Sequence, residues 1–423
     1  MKHAEGIVQQ AVQGVPSIAQ DLLTREEALR QLGVQRATLY TYVSRGWIRS
    51  VPQHGTRQRL FCAEDIAQLK SRGAVHSGTA PRGETSLRWG EPVLQSSITA
   101  IGEAGPVYRG YPAVQLAEQG VRFENVAQLL WTGSLVSEPM KWSFAGNPDE
   151  VQAELQHHSH ADIARALAWL ALSSGGRDDC CAEDMSYAKT LLAKFARAVL
   201  RLAPHDRIAT VGDDAGVADV ISKCAGMADV DVVHAINAAL VLCADLELAP
   251  ATFAARVAAS AGCEVSSCVA VGITTHAGGL TGGSAGRAER LLFHELADSN
   301  FEDKLHIAKT LGSREYGFNH PLFPAGDPRA TALLVLARSF ARPGRRLQRA
   351  LAFVDEARER HGLHPGMGLS LAVLCQALRL PEHGPLALWT LGRTAGLIAH
   401  VTEQKALGFK IRPRAYYVGP QIP

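Results

Sequence analysis

Apolar residues recur at helical spacing almost without interruption from residue 228 to residue 273. Ala-rich runs such as ATFAARVAAS, residues 251–260, lie within this stretch. Because small side chains let helix backbones approach closely, the stretch suits an interface built from packed helices. The same periodicity predicts amphipathic core helices at residues 163–172 and 185–202. We therefore predict that these three stretches are helical.

The composition is that of an ordinary globular protein, with 423 residues and a hydrophobic fraction of 47%. That length allows two or three domains. The formal net charge of +2 provides no global attraction to nucleic acid, so any DNA contact must come from a local basic patch. The first residues, MKHAEGIVQQAVQ, lack the apolar run of a signal peptide, and no stretch of about 18 apolar residues follows. The expected location is the cytoplasm, with no membrane partner.

The cysteines give no indication of a metal site. All 8 are scattered, and neither a CxxC pair nor a Cys/His ladder with zinc spacing occurs. We expect no bound metal, and we expect reduced cysteines that pack as small hydrophobic residues.

The stretch GFNHPLFPAGDPRA, residues 317–330, contains two glycines and three prolines. These residues exclude a regular helix or strand, so His320 and Arg329 are held on a stiff, irregular loop. Loops of this kind on a rigid scaffold often carry function. The alternative is a surface turn with one solvated His.

Residues 22–72 form a predicted compact unit, preceded by an N-terminal lead at residues 1–21. Thr24 and Glu27 have the spacing of a capping box, and Gly33 has the position of a left-handed C-cap. The next helix, predicted at residues 36–45, follows after a tight turn. Two short helices joined in this way make a helix-turn-helix. Their predicted shared apolar face consists of Leu29, Leu32, Leu39 and Val43.

The sequence LTREEALRQLGVQRATLYTYVSRGWIRS resembles the MerR-type helix-turn-helix, and a Gly-centred wing follows it at residues 53–57. The resemblance implies binding to duplex DNA by a dimer, with base and phosphate contacts from the second helix and the wing. The alternative is a protein-interaction module that keeps the shape alone. The candidate DNA-binding residues are Gln35, Arg36, Thr38, Tyr40, Arg45, Arg57 and Arg59.

Residues 73–88 are rich in Gly, Ser, Thr and Pro and are predicted to form a linker. Beyond it, VLQSSITAIGEAGPVYRGYPAVQL (residues 93–116), the 317–330 loop and GRTAGLIAHVTEQKALGFKIRPRAYYVGP (residues 392–420) resemble citrate synthases. The resemblance implies a dimerising domain at residues 89–423. Its expected fold is a mainly α, citrate-synthase-like arrangement of a large and a small domain, preceded by the small winged helix-turn-helix domain.

Citrate synthases condense oxaloacetate with acetyl-CoA, which requires a carboxylate base, two histidines and arginines that hold the substrate carboxylates. The resemblance places Arg329, Arg393 and Arg412 at the three substrate arginines and His320 at the carbonyl-polarising His. Arginine forks bind carboxylates bidentately, so these positions favour a small di- or tricarboxylate ligand. The alternative is that structural acids pair with them. No cofactor is expected, and acetyl-CoA is a co-substrate only if the chain is an enzyme.

Other family positions are changed. Thr281 stands at the enol-stabilising His and Gly368 at the catalytic Asp, while Leu246 replaces a His that contacts oxaloacetate. Pro321 and Pro324 stand where the family has basic residues that serve CoA. The residues His276, His364 and Asp355 are nearby substitutes, although none has the matching spacing.

Three hypotheses follow from these residues. The first is a DNA-linked sensor that binds a carboxylate such as oxaloacetate or citrate and has degraded condensing activity. The second is an acyltransferase of the citrate synthase type that works through a rearranged site. The third is a structural paralogue that pairs with an active citrate synthase.

Overall fold

The computed structural model describes two compact units, the first spanning residues 1–94 with 416–423 and the second residues 95–415. The predicted lead at residues 1–21 and the predicted linker at residues 73–88 lie outside the described residues. The described residues are 22–44, 48–52, 58–63, 65–67, 69, 94–140, 142, 151, 153–159, 162–174, 185–200, 202, 215–223, 229–295, 302–303, 305, 317–340, 344–415 and 419.

Among its described residues, the first unit contains two continuous helices and a three-stranded antiparallel sheet in the order β1-β3-β2, and residues 63, 65–67 and 69 are also helical. Leu22 pairs with Cys62 and Val51 pairs with Leu60 across the sheet. The elements are β1 (Leu22–Leu23), α1 (Arg25–Leu32), α2 (Arg36–Ser44), β2 (Ser50–Pro52) and β3 (Arg59–Cys62).

Local signals determine where α1 begins and ends. The Thr24 hydroxyl accepts a hydrogen bond from the Glu27 backbone N–H, and the Glu27 carboxylate accepts one from the Thr24 N–H at 2.8 Å. Gly33 ends the helix with φ 65°, in the left-handed region. The predicted capping box and C-cap are therefore confirmed. The predicted apolar face is also present, because Leu39 is fully buried and the other three residues pack against the same cluster.

The second unit begins with an antiparallel sheet in the order β4-β5-β6, in which Thr99 pairs with Tyr108. Thirteen α-helices follow among the described residues, so the predicted mainly helical class is confirmed for this unit. The strands are β4 (Thr99–Gly102), β5 (Gly105–Tyr108) and β6 (Tyr111–Pro112). The helices are α3 (Ala113–Glu118), α4 (Phe123–Thr132), α5 (Ile163–Ser173), α6 (Ser186–Leu200), α7 (Val217–Ser222), α8 (Val230–Cys243), α9 (Pro250–Ser260), α10 (Val265–His276), α11 (Ser284–Arg290), α12 (Pro328–Ser339), α13 (Arg345–His361), α14 (Met367–Ala377) and α15 (Gly384–Leu407).

Helix α15 is the central element of the second unit. It is buried along most of its length and packs against α8, α9 and α10. Two glycines of α15 allow its close contact with α8. A Cβ at Gly392 would lie 2.8 Å from the Leu240 carbonyl oxygen, and a Cβ at Gly396 would overlap the Ala244 carbonyl oxygen and the Asp245 carboxylate. The close approach brings the carboxylate that ends α8 against the side chains of α15.

In the described part of the chain, every helix is too short or too polar to cross a lipid bilayer.

We predict that Gly396→Ala lowers the free energy of unfolding by about 1–3 kcal/mol, because its methyl group must displace backbone and carboxylate atoms that have no free space. Urea denaturation followed by far-UV circular dichroism measures the change.

The matched control is Gly286→Ala in α11, where an added Cβ has no heavy atom within 4 Å. Its expected effect is neutral or stabilising by up to about 1 kcal/mol, because alanine favours the helix. Equal denaturation midpoints for the two variants would contradict the close packing of α15.

Candidate functional site

Arg329 is fixed at the first turn of α12 by the residue that caps this helix. Asp327 accepts hydrogen bonds from the Arg329 backbone N–H at 3.0 Å, from Nε at 3.1 Å and from a terminal guanidinium nitrogen at 2.8 Å. Pro328 occupies the first helical position, where its missing N–H costs nothing. Arg329 is 1% exposed. Burial opposes the charge, but Asp327 outweighs it and raises the pKa of Arg329.

The loop before α12 is held against the start of α14. Asn319, with φ 55°, donates its N–H to the His364 carbonyl at 2.8 Å and accepts the His364 N–H on its side-chain oxygen at 2.9 Å. His320 is half-buried and its ring lies 5.4 Å from the Phe323 ring, which also faces the Arg329 guanidinium. His320 and Arg329 therefore both lie against the Phe323 ring.

Arg393 lies on α15 with 3% exposure and weak pairing. Its closest carboxylate oxygen is Asp245 Oδ1 at 3.7 Å, and its hydrogen bond to the Thr252 hydroxyl is long at 3.4 Å. Its Nε has no hydrogen-bond partner among the described residues. Burial, with a contribution from nearby Arg329, lowers the pKa of Arg393. This guanidinium is therefore a buried cation with spare capacity to bind an anion.

Asp245 connects Arg393 to a second buried arginine. Its Oδ2 lies 3.1 Å from His400 Nε2, and His400 Nδ1 lies 3.1 Å from the Arg256 guanidinium. Since a guanidinium can only donate, His400 Nδ1 accepts and Nε2–H donates to Asp245. Burial opposes ionisation of Asp245, but His400 and Arg393 outweigh it and lower its pKa to about 2. Arg256 is in turn paired with Glu403 at 2.6 Å.

Tyr108 and Cys243 are two buried groups whose electrostatic interactions reach both Arg329 and Arg393. The Tyr108 hydroxyl donates to the Val241 carbonyl at 3.1 Å and accepts the Asp245 N–H at 3.2 Å. Burial raises the pKa of Cys243 to about 12, so its thiol stays protonated and is a poor nucleophile. Among the described residues, no group of His, Cys, Asp and Glu side chains is placed to hold a metal ion.

Thr281, which the sequence resemblance places at the enol-stabilising His, caps α10. Its hydroxyl lies 2.6 Å from the His276 carbonyl oxygen and 2.9 Å from the Gly278 carbonyl oxygen, at the C-terminal end of α10. The hydroxyl therefore donates to the carbonyl of His276, the last residue of α10, which has no intrahelical partner.

Gly368, which the sequence resemblance places at the catalytic Asp, lies against the beginning of α11. A Cβ at this position would be 2.8 Å from the Ser284 hydroxyl and 3.0 Å from the Ala285 backbone nitrogen. The space that a side chain at position 368 needs is therefore already filled.

Residues 87–414 match the family model described as citrate synthase, C-terminal domain. The chain belongs to the citrate synthase family. The Mycobacterium tuberculosis protein named putative citrate synthase 2 is 30% identical over 332 residues, covering 74% of this chain and 86% of that protein. The 2-methylcitrate synthase of the same species is 25% identical over 390 residues, covering 84% of this chain and 96% of that protein.

Solved structures agree with this family assignment at the level of the fold. The citrate synthase of Thermotoga maritima has a TM-score of 0.65 at 23% identity, covering 79% of this chain and 96% of its own. The Thermoplasma acidophilum enzyme, solved as a ternary complex with carboxymethyl coenzyme A and oxaloacetate, has a TM-score of 0.66 at 21% identity, covering 78% of this chain and 95% of its own. Citrate synthases are transferases of the tricarboxylic acid cycle type that need no cofactor, use acetyl-CoA as co-substrate and are typically homodimers.

The remaining citrate synthase positions predicted from the sequence lie in varied environments. Arg412 is exposed, in contrast to buried Arg329 and Arg393. Leu246 and Pro321 are half-buried, and Pro324 is exposed.

Two of the predicted substitutes also have clear positions. Asp355 forms a surface ion pair with Arg338 at 2.6 Å, between α13 and α12, so the interpretation of Asp355 as a replacement base is not supported by its contacts. His364 is half-buried and its ring would contact a Cβ at Gly326, which places it beside the loop that carries His320.

In the first unit, Gln35 and Arg36 are exposed at the start of α2, and Thr38 is half-buried. Tyr40 is half-buried because its ring packs edge-on against core Phe61 at 6.2 Å, so it contributes to folding of this unit rather than only to an outer face. Arg59 is exposed and hydrogen-bonded to Ser50. The candidates Arg45 and Arg57 lie outside the described residues.

Sequence reasoning did not single out His400 or Arg256 as site residues. A signal for His400 was present, because it follows Arg393 by seven residues on α15 and so lies on the same helix face. Arg256 lies among the alanines of α9 with no sequence pattern linking it to α15, so its pairing with Glu403 required the folded chain.

Proposed function

We propose that this citrate synthase family domain binds a small di- or tricarboxylate of the oxaloacetate or citrate type and has degraded condensing activity. The observation that carries the proposal is the incomplete pairing of Arg393. A buried guanidinium whose Nε lacks a partner and whose closest carboxylate is 3.7 Å away is costly until an anion binds it. A ligand carboxylate supplies the missing acceptors.

Arg329 gives this binding site a second cation. Its bidentate pair with Asp327 keeps it oriented. This pair uses only part of the five N–H donors of the guanidinium, so the others can bind a ligand. The two arginines interact electrostatically with each other, so a ligand with two carboxylates relieves their mutual repulsion. A monocarboxylate leaves one of the two unmatched.

Condensation of acetyl-CoA with oxaloacetate needs a base that removes a proton from the acetyl methyl group. Gly368 has no side chain, and its surroundings leave no room for one. Thr281 caps α10 with its hydroxyl. Loss of a base or of an enol stabiliser lowers the rate of condensation by roughly two to four orders of magnitude each. A chain that has the binding groups and lacks both proton-transfer groups should therefore condense these substrates at a rate near background.

The alternative function is an acyltransferase of the citrate synthase type with a rearranged site. The similarity to a 2-methylcitrate synthase supports this alternative, with an acyl-CoA other than acetyl-CoA as the substrate. His364 is the candidate that favours it, because this half-buried residue lies beside the His320 loop.

We also propose that the first unit links ligand binding to duplex DNA. Gln35 and Arg36 are exposed together at the N-terminal end of α2, where recognition helices contact bases. Arg59 adds an exposed positive charge on β3. Members of the citrate synthase family are typically homodimers. A homodimer would present two copies of this small contact surface, which stable binding to DNA requires.

We predict that oxaloacetate, citrate or malate raises the melting temperature and that acetyl-CoA does not. A ligand at about one hundred times its dissociation constant stabilises the folded protein by about 2.7 kcal/mol, which a thermal shift experiment resolves. Arg393→Lys should weaken binding at least about tenfold, because lysine cannot reproduce the guanidinium fork.

The control is Arg338→Ala, which removes an exposed, ion-paired arginine from the same helix as Arg329 and should leave affinity unchanged. Absence of a shift with every carboxylate would refute the proposed binding. Unchanged affinity in Arg393→Lys together with weaker binding in Arg338→Ala would indicate general charge attraction instead of a site.

We predict no citrate formation above background from acetyl-CoA and oxaloacetate. The double variant Thr281→His with Gly368→Asp should restore little, because the new Asp side chain has to displace Ser284 and Ala285. Steady-state release of CoA is the measurement. A turnover on the order of one per second in the unmodified chain would overturn the prediction and support the acyltransferase alternative.

We predict that the full chain retards duplex DNA in a gel shift with a pool of randomised duplexes at low salt, and that added salt weakens the complex steeply. Arg36→Ala should alter the selected sequences. Arg25→Ala removes the same charge from α1, where Arg25 is paired with Glu26 at 2.7 Å, and should have little effect. A chain that forms no complex at low salt has no DNA-binding role.

A further inference from the structure

His276 is a buried histidine with an unsatisfied ring nitrogen. It is the last residue of α10 and is 4% exposed. Its Nε2 has no hydrogen-bond partner among the described residues. Buried polar atoms are nearly always hydrogen-bonded, so an unpaired one in a family binding domain requires an explanation.

Two neighbours hold the imidazole in place. Its ring meets the Trp389 ring edge-on at a centroid distance of 5.2 Å, and Trp389 lies one turn before Arg393 on α15. On the other side, a Cβ at Gly282 would overlap His276 Nε2. Glycine at position 282 therefore leaves the space that the imidazole occupies, between α15 and the loop after α10.

Arg393 and His276 belong to one buried region. His276 packs against Trp389, which lies one turn before Arg393 on α15, and the Arg393 charge contributes to lowering the pKa of His276. Arg393 Nε and His276 Nε2 are each buried without a partner among the described residues. One bound molecule with a polar atom next to each nitrogen would provide the missing hydrogen-bond partner of both.

We propose that His276 orients the carboxylate ligand by a hydrogen bond from Nε2 to the ligand's keto or hydroxyl oxygen, beside the carboxylate that Arg393 binds. This inference rests on the proposed carboxylate binding. It makes His276 a specificity-determining residue for 2-oxo and 2-hydroxy acids over plain dicarboxylates.

The electrostatics of the site agree with a neutral contact. Burial, with a smaller contribution from Arg393, lowers the pKa of His276 to about 3, so the imidazole is uncharged near neutral pH. A neutral imidazole donates from Nε2–H to a keto oxygen in one tautomer and accepts from a hydroxyl in the other. It adds no charge to a site whose cations are the arginines.

The test compares three four-carbon dicarboxylates that differ at one carbon, namely oxaloacetate, malate and succinate. Isothermal titration of the full chain should show oxaloacetate or malate binding at least about tenfold more tightly than succinate. His276→Phe keeps an aromatic ring against Trp389 but removes the hydrogen bond. It should reduce this preference to about threefold or less and leave succinate affinity unchanged.

Trp389→Phe is the matched control, because it disturbs the packing around the imidazole and leaves Nε2 in place. It should keep the preference for the oxygen-bearing ligands. His276→Gln provides a second substitution if His276→Phe does not fold, and its amide should retain part of the preference.

The outcomes separate this inference from the proposed function. If the unmodified chain binds none of the three ligands, carboxylate binding itself fails and this inference fails with it. If it binds them and His276→Phe keeps the full preference, carboxylate binding stands and the role of His276 is refuted. In that case a buried water is the partner of Nε2.

Discussion

The second unit depends on the contacts that the ionised carboxylate of Asp245 makes between α8 and α15. This carboxylate lies at the end of α8, against the Gly396 backbone, and faces both Arg393 and His400 on α15. A buried carboxylate is tolerated only when cations and donors surround it, and these neighbours hold its pKa near 2. The same carboxylate therefore joins the two helices and lies beside Arg393 of the proposed binding site.

The parts of the fold that were predictable from the sequence are those set by neighbouring residues. The Thr24 capping box and the Gly33 cap depend on contacts within a few residues, so their spacing was sufficient. His320 lies in the irregular loop predicted from its glycines and prolines, whereas Arg329 lies in the first turn of α12, because proline is compatible with the first position of a helix. The mainly helical fold was predicted from the resemblance to citrate synthases, because periodicity identifies single helices and does not specify how they pack.

The parts that were not predictable depend on distant contacts. Nothing in the local sequence showed that Asp355 is held by Arg338 on the surface, or that Thr281 caps α10. The unpaired Nε2 of His276 was equally hidden, because it results from the approach of Trp389 and Gly282 from two other segments. Spacing identifies candidates, whereas burial and partners decide which of them can act.

Binding and catalysis respond differently to substitution in such a site. Binding of a dicarboxylate needs fixed positive charge, and that charge is maintained by Asp327 and Asp245, which also support α12 and α15. Proton abstraction needs one carboxylate at one position, and at Gly368 the start of α11 fills the space that a side chain would need. Because ligand recognition and proton abstraction are assigned to different residues, the proposed loss of condensation leaves the arginines of the proposed binding site in place.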